Sequence, residues 1–353
     1  MSDRLATRIG DLALANPIIC GSGEHTMTAA GLRAALASGA AGVISKSINE
    51  TAAAAAQLDI ADYALVSPDN RVVPWGAPEA GAAGLLCRSG LQQIPVDEWL
   101  ATVAVADRLA AQDGRFVAAS IVYGGLEGAL ELTRRIHRAG IRVLEFNVGS
   151  PQATEVKPGV VTIESDAARL RAIVAAVRAE FPRTLWVKLP GIGGDILPLA
   201  RAAREGGAEA VGMVGRFVGM LPDVETLAPV LGTAAGFSGP WALPISCRWV
   251  AQARAALGGD FPIIGTNGAR NGLDVARFLL AGATAVEMTS AVLQSGFGAL
   301  TAARDELAAY LDRKALTAPA LVGQAADRMQ GYAQQVARPG HWRGFVPQET
   351  LAP

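Results

Sequence analysis

Short apolar runs alternate along the chain with longer stretches in which apolar residues recur every three or four positions. Four junctions between the two patterns resemble one another: SGAAGVISKS, AGIRVLEFNV, GGAEAVGMV and AGATAVEMTS. In each, a glycine (Gly39, Gly140, Gly207, Gly282) stands four residues before a Val or Leu (Val43, Leu144, Val211, Val286). Glycine after a last helical turn takes the left-handed cap conformation, and the β-branched run that follows reads as a buried parallel strand. Helix, glycine, buried strand, repeated, is the pattern of an α/β protein.

The same reading gives eight strand candidates: 16–23, 42–47, 116–122, 143–148, 185–190, 210–214, 261–268 and 285–290. Amphipathic patterns such as VDEWLATVAVADRLAAQ and SDAARLRAIVAAVRAEF lie between them. Eight β/α units favour a closed (β/α)8 barrel, with an open doubly wound sheet as the alternative. A first helix is expected after Thr28 and a last one from about Gln294 to Arg313. ATRIG and LALAN predict a small N-terminal strand pair covering the barrel's bottom. The expected organisation is one barrel over 1–313 and a helical tail extension over 314–353.

Two segments break the rhythm, 48–95 after the second strand and 215–245 after the sixth. Long loops in a compact domain are commonly functional, and both leave from strand C-termini, where barrel enzymes carry their chemistry. Polar groups gather at those ends: Ser22 and Gly23, Lys46 and Ser47, Asn147 and Ser150, Lys188, the GTNG turn (265–268), and Thr289 with Ser290. The lysines are the most informative, because an interior lysine needs an anion or a strong acceptor. In EFNVGSPQ (145–152) a strand ends by presenting Asn, Ser and Gln on a turn, a cluster that is costly to bury without a partner. GTNG beside Thr289 and Ser290 suits a phosphate, although the glycines alone would also make a tight turn.

Composition narrows the field. The chain has 353 residues, 51% hydrophobic and 18% charged, as expected of a core-rich globular protein. With 31 basic against 32 acidic residues, nucleic acid and anionic membranes are not expected partners. The sequence lacks an apolar run of the roughly 18 residues a spanning helix needs. MSDRLATRIGDLAL has no signal-peptide core, so a cytoplasmic location is expected. Cys20, Cys87 and Cys247 lack CxxC spacing, which points to a reducing compartment and no metal site.

ANPIICGSGEHTMT, GVISKS, LEFNVGSPQ, WVKLPG, AGFSGPWALP and IIGTNGARNGLDVARFLLAGATAVEMTSAVL fall in an order and spacing that resembles the dihydroorotate dehydrogenases, the soluble class above all. The resemblance covers about residues 8 to 312 and implies flavin mononucleotide (FMN) across the barrel mouth. It implies that Ser22, Gly23, Lys46, Ser47, Asn147, Lys188 and Val211 hold the ring, with Lys188 at the edge that becomes negative on reduction. Gly239, Gly265, Asn267, Gly268, Thr289 and Ser290 would hold the phosphate. Asn147 and Lys46 would also meet substrate, and Ser150 would stand at the catalytic base position. A serine has no carboxylate or His in that motif to activate it, so a water relay would be needed.

The expected reaction is oxidation of a C–C bond beside a carbonyl in dihydroorotate or a related cyclic amide or imide. An ene-reductase of an unsaturated lactam or pyrimidine, and a flavin-binding barrel without turnover, are the alternatives. The family grips its ring with asparagines, whereas here Gln152, Cys87 and Gly212 stand at ring-contacting positions, which points to a changed substrate. Arg216 or Arg88 are candidates for a new anion contact. His25 reads as structural, His137 as a solvated helix residue, and His341 lies in the tail. A homodimer and an electron acceptor of unidentified class complete the expected partners.

Overall fold

The computed structural model describes residues 3–149, 165–191 and 194–351. Eight parallel strands close a barrel: β1 (Ile18–Cys20), β2 (Gly42–Ile44), β3 (Phe116–Val122), β4 (Val143–Asn147), β5 (Thr184–Lys188), β6 (Ala210–Met213), β7 (Ile263–Gly265) and β8 (Ala285–Met288). Each pairs with its sequence neighbours, and β8 closes onto β1. A helix follows each: α1 (Ala29–Ala37), α2 (Val96–Gln112), α3 (Leu126–Arg138), α4 (Ala167–Glu180), α5 (Leu197–Glu205), α6 (Leu243–Leu257), α7 (Gly272–Ala281) and α8 (Gly298–Lys314). The (β/α)8 expectation holds, and the four junction glycines take φ of +83° to +114°, the left-handed region expected of them.

Strand alternation sorts the side chains. One residue per strand (Ile19, Ile44, Ala118, Val143, Trp186, Ala210, Ile264, Ala285) forms a layer inside the barrel. Ile9 and Leu14, from the antiparallel hairpin Thr7–Ile9 and Leu12–Leu14, close that layer from below. Their neighbours, among them Val43, Val117, Leu144, Val187 and Val286, face outward into the main core with the helices. The fit inside is tight: a Cβ on Gly42 would lie 2.1 Å from the Phe116 ring, so the glycine makes room for that phenyl group.

The structure departs from expectation in three places. Most strands end one to three residues earlier than their apolar runs, because the chain turns out of the barrel at its polar mouth. The last helix is two, Ser290–Ser295 and α8, separated where Gly296 adopts φ of +74°. Most consequential, the two long segments share one sheet. Asp62–Val66, Val72–Val73 and Gly84–Arg88 from the first join Phe217–Gly219 and Ala235–Ser238 from the second. The seam pairs Gly236 with Cys87, Phe237 with Leu86 and Ser238 with Leu85.

Beyond α8, Ala318 and Leu321 are buried in the main core, and Gly323 donates to the Leu279 carbonyl at 2.8 Å. From Met329 onward the large apolar residues Tyr332, Val336, Trp342 and Phe345 are exposed. No described helix is long and apolar enough to cross a membrane.

Phe116 fills the barrel interior without solvent exposure and meets Trp186 edge-on at 5.8 Å. Phe116→Ala is expected to lower the free energy of unfolding by about 3–5 kcal/mol. Denaturant titration reads this directly, and a loss under about 1 kcal/mol would contradict the packing.

Candidate functional site

Above the apolar layer, each strand places its next inward residue at the mouth: Gly21, Lys46, Ser120, Glu145, Lys188, Gly212, Thr266 and Glu287. This second layer is polar, and most of it lines a cleft between the mouth and the shared lid sheet. The cleft measures about 1020 Å³ with its open mouth, the size of a cofactor site.

Lys188 occupies the floor. Its Nζ lies 3.2 Å from Glu145 Oε2 and is bonded to Glu287 Oε2, both carboxylates being buried. Burial disfavours the Lys188 ammonium, but the two carboxylates outweigh it and hold its pKa above the usual lysine value. Two carboxyls that also approach each other within hydrogen-bond reach cannot both be ionised comfortably. Burial and the Glu145 charge push Glu287 up to about 8, so Glu287 holds the shared proton at neutral pH. Burial also opposes ionisation of Glu145, but Lys188 and the bonds it accepts from Glu287 and Ser120 hold it below the usual carboxylate value.

A chain of hydroxyls runs from this cluster to the rim. Ser120 Oγ donates to Glu145 Oε1 at 2.9 Å and lies 2.8 Å from Ser47 Oγ, which is 3.2 Å from Ser22 Oγ.

The second lysine is also paired. Lys46 Nζ donates to Glu24 Oε1 at 2.8 Å and to Ser89 Oγ at 2.9 Å, and Ser89 bonds Glu24 in turn. Burial opposes ionisation of Glu24, yet the Lys46 charge and the bonds from Lys46 and Ser89 hold its pKa down at about 2. The Lys46 strand end is fixed by Trp99 Nε1, which donates to its carbonyl at 3.2 Å. Both interior lysines thus have protein carboxylates as their anions, although for Lys46 burial outweighs Glu24 and holds its pKa below the usual lysine value.

Sequence reasoning missed Glu24, Glu145, Glu287, Ser89 and Ser120. The signal for two of them was present: Glu145 and Glu287 each stand two residues beyond an inward apolar position in strands that otherwise read as apolar runs.

Among the expected site residues, Ser22, Gly23, Lys46, Ser47, Cys87, Asn147, Lys188, Asn267, Gly268, Thr289 and Ser290 line the cleft. Asn147 lies beside Lys188 in register, and its Oδ1 accepts from Gly149 N at 2.9 Å. Asn267 sits at φ of +68° with Nδ2 3.4 Å from the Gly215 carbonyl. Gly268 turns at φ of +139°, and a Cβ there would fall 2.7 Å from Leu243 Cα at the start of α6. Val211, Gly212, Gly239 and Gly265 lie behind the lining. Val211 faces the outer core, and a Cβ on Gly212 would meet Lys188 Cγ at 3.3 Å. Gly239 presses its backbone on Gly84, and Gly265 makes room for Phe278. Ser150 and Gln152 lie outside the described residues.

Arg88 is not an anion contact: it donates to the carbonyls of Ile60 and Leu231 and ties the lid together. His25 packs edge-on against Phe297 at 5.8 Å, and burial pulls its pKa down to about 4. His137 packs on Phe181 at 6.1 Å, so it is half-buried rather than solvated.

A (β/α)8 barrel with a charged, cofactor-sized cleft at its strand C-termini, roofed by a lid, is the architecture of a barrel enzyme. Residues 77–311 match the family model of dihydroorotate dehydrogenase, and the chain belongs to that family of oxidoreductases. It is 31% identical over 320 residues to a putative dihydroorotate dehydrogenase A (fumarate) of Solibacter usitatus, covering 90% of this chain and 96% of the relative. It is 29% identical over 323 residues to the catalytic subunit of a dihydroorotate dehydrogenase B (NAD(+)) of Methanocella arvoryzae, covering 91% and 98%. The corresponding subunit of Alkaliphilus metalliredigens is 33% identical over 224 residues, 62% of this chain and 72% of that one.

The retained proton gives a pH test. Glu287 is raised from 4.5 to about 8 in the folded protein, so the stability it contributes is complete below about 4.5 and is lost as pH rises through 8. Between pH 5 and 8.5 the wild type is expected to lose stability relative to Glu287→Gln, at up to about 1.4 kcal/mol per pH unit. Parallel curves from denaturant melts across that range would show that Glu287 is ionised throughout.

Proposed function

We propose that the protein is an FMN-dependent oxidoreductase that oxidises the C–C bond beside a carbonyl in dihydroorotate or a related cyclic amide. The observation that carries this reading is the pairing of Lys188 with Asn147, register neighbours on β5 and β4 that both face the cleft. A permanent cation and an amide side by side suit a polar ring edge that gains negative charge and a carbonyl that must be oriented.

The residues present fit the flavin. Asn267 Oδ1 and Glu287 Oε1 are buried in the cleft wall without a hydrogen-bond partner among the described residues, and buried polar atoms call for one. At the far end, Gly268 is free of a side chain beside Thr289 and Ser290, which suits backbone approach to a phosphate. FMN, when bound, supplies the hydride acceptor.

The chain's own residues do the rest. Lys188, kept charged by its carboxylates, would lie at the ring's pyrimidine edge. Ser22 and Gly23 would bound the ring, with Ser47 behind Ser22. Asn147 would orient the substrate carbonyl, and Ser150 would take the proton from the neighbouring carbon while passing its own hydroxyl proton on to water. The lid, with Leu85 and Cys87 facing inward, would exclude water.

Purified protein is expected to be yellow, with one FMN per chain. The double variant Lys188→Ala/Glu145→Gln, which removes the ionised carboxylate that Lys188→Ala alone would strand, is expected to lose the flavin. A folded wild-type protein that takes up no FMN would overturn the reading. Separately, Ser150→Ala is expected to slow anaerobic flavin reduction by substrate about 10²-fold or more, with flavin content unchanged. Reduction at the wild-type rate would move the base elsewhere.

A further inference from the structure

Three cationic side chains line the cleft among the described residues: Lys188, Lys46 and Arg216. Lys188 is balanced by Glu145 and Glu287, and Lys46 by Glu24. Arg216 differs. No carboxylate among the described residues lies within ion-pair distance of it, and its guanidinium donates from Nη1 to Cys87 Sγ at 3.1 Å. Burial raises the Cys87 pKa, so the thiol stays protonated and offers no charge in return.

The position of Arg216 is built, not incidental. Gly236, opposite Cys87 across the seam of the lid sheet, lacks a side chain where the arginine lies. A Cβ there would fall 3.1 Å from Arg216 Cδ and 3.2 Å from Nε. The stem therefore rests on bare backbone, and the guanidinium is held over the cleft between the two halves of the lid. A fork of N–H donors with a permanent charge and no anion is suited to a carboxylate, which it can grip through two bonds.

We propose that Arg216 takes the carboxylate of a ring substrate, since it is the cation of the cleft with no carboxylate partner among the described residues, whereas Lys46 is already paired with Glu24. The inference rests on the proposed reading of this cleft as a substrate site for a cyclic amide, and it names the charge that substrate carries. The acid group then sits under the roof, while the ring faces the floor formed by Asn147 and Lys188.

The test compares orotate with uracil, which is the same ring without the carboxylate. Binding is measured by calorimetry, which needs no flavin signal, and flavin content is read separately from the visible spectrum. Arg216→Gln is expected to weaken orotate at least tenfold, the scale of a lost charge-assisted bond, and to leave uracil unchanged. Arg216→Lys, which keeps the charge and loses the fork, is expected to fall between. Equal affinity for orotate in wild type and Arg216→Gln would overturn the proposal, as would equal weakening of both ligands or no orotate binding by the wild type. Arg216-dependent orotate binding in a protein that takes up no FMN would instead overturn the flavin reading and leave the anion site standing.

Discussion

Every second side chain of a barrel strand points into a space too narrow for bulk water, so any charge placed there must find its counter-charge on a neighbouring strand. An uncompensated buried ion costs several kcal/mol, a large share of the stability of an ordinary domain. That constraint explains the second inward layer of this barrel. Lys188 on β5 meets Glu145 on β4 and Glu287 from β8, and the surplus carboxylate is accommodated by keeping a proton. Gly212 and Gly21 contribute no side chain at this level, and the space they leave is taken by Lys188 and Thr289. The cleft floor is thus a pre-formed electrostatic surface whose charges are set by strand register.

The roof follows a different logic. It belongs to no single strand end, and its groups sit in an antiparallel sheet contributed by two segments far apart in sequence. Arg216, Cys87 and Gly236 come together only at the seam. Floor and roof can therefore change independently: residues such as Cys87 can be exchanged without disturbing the carboxylates around Lys188. A family can keep its floor in this way while the roof diverges.

The barrel was legible because its signals are local. A glycine cap followed by a β-branched run needs nothing distant to be read, and the junctions at Gly39, Gly140, Gly207 and Gly282 all turned out as such. The lysines were legible as misfits in apolar strands. Their partners were not, since Glu145 and Glu287 each look like an isolated acid in a strand and become a pair only when β4 and β8 face each other across the barrel. The lid was hidden for the same reason. Nothing in LLCRSG or AAGFSG states that they pair, and read alone each resembles a loop.

The shared sheet also bears on how the molecule assembles. Leu85 and Ser238 are register partners separated by some 150 positions of chain, and four of the eight barrel strands, β3 to β6, lie between them. Loop-closure entropy for such a contact must be met before the contact gives anything back, so pairings of this kind form late. The seam can knit only after β2 and β6 have been brought to the same rim by the closing barrel. Until then Gly84–Arg88 and Ala235–Ser238 each present an unpaired, apolar strand edge, the kind of template that recruits other chains. Completing the roof thus does double duty, since it buries the cleft's ceiling and pairs two strand edges in a single event.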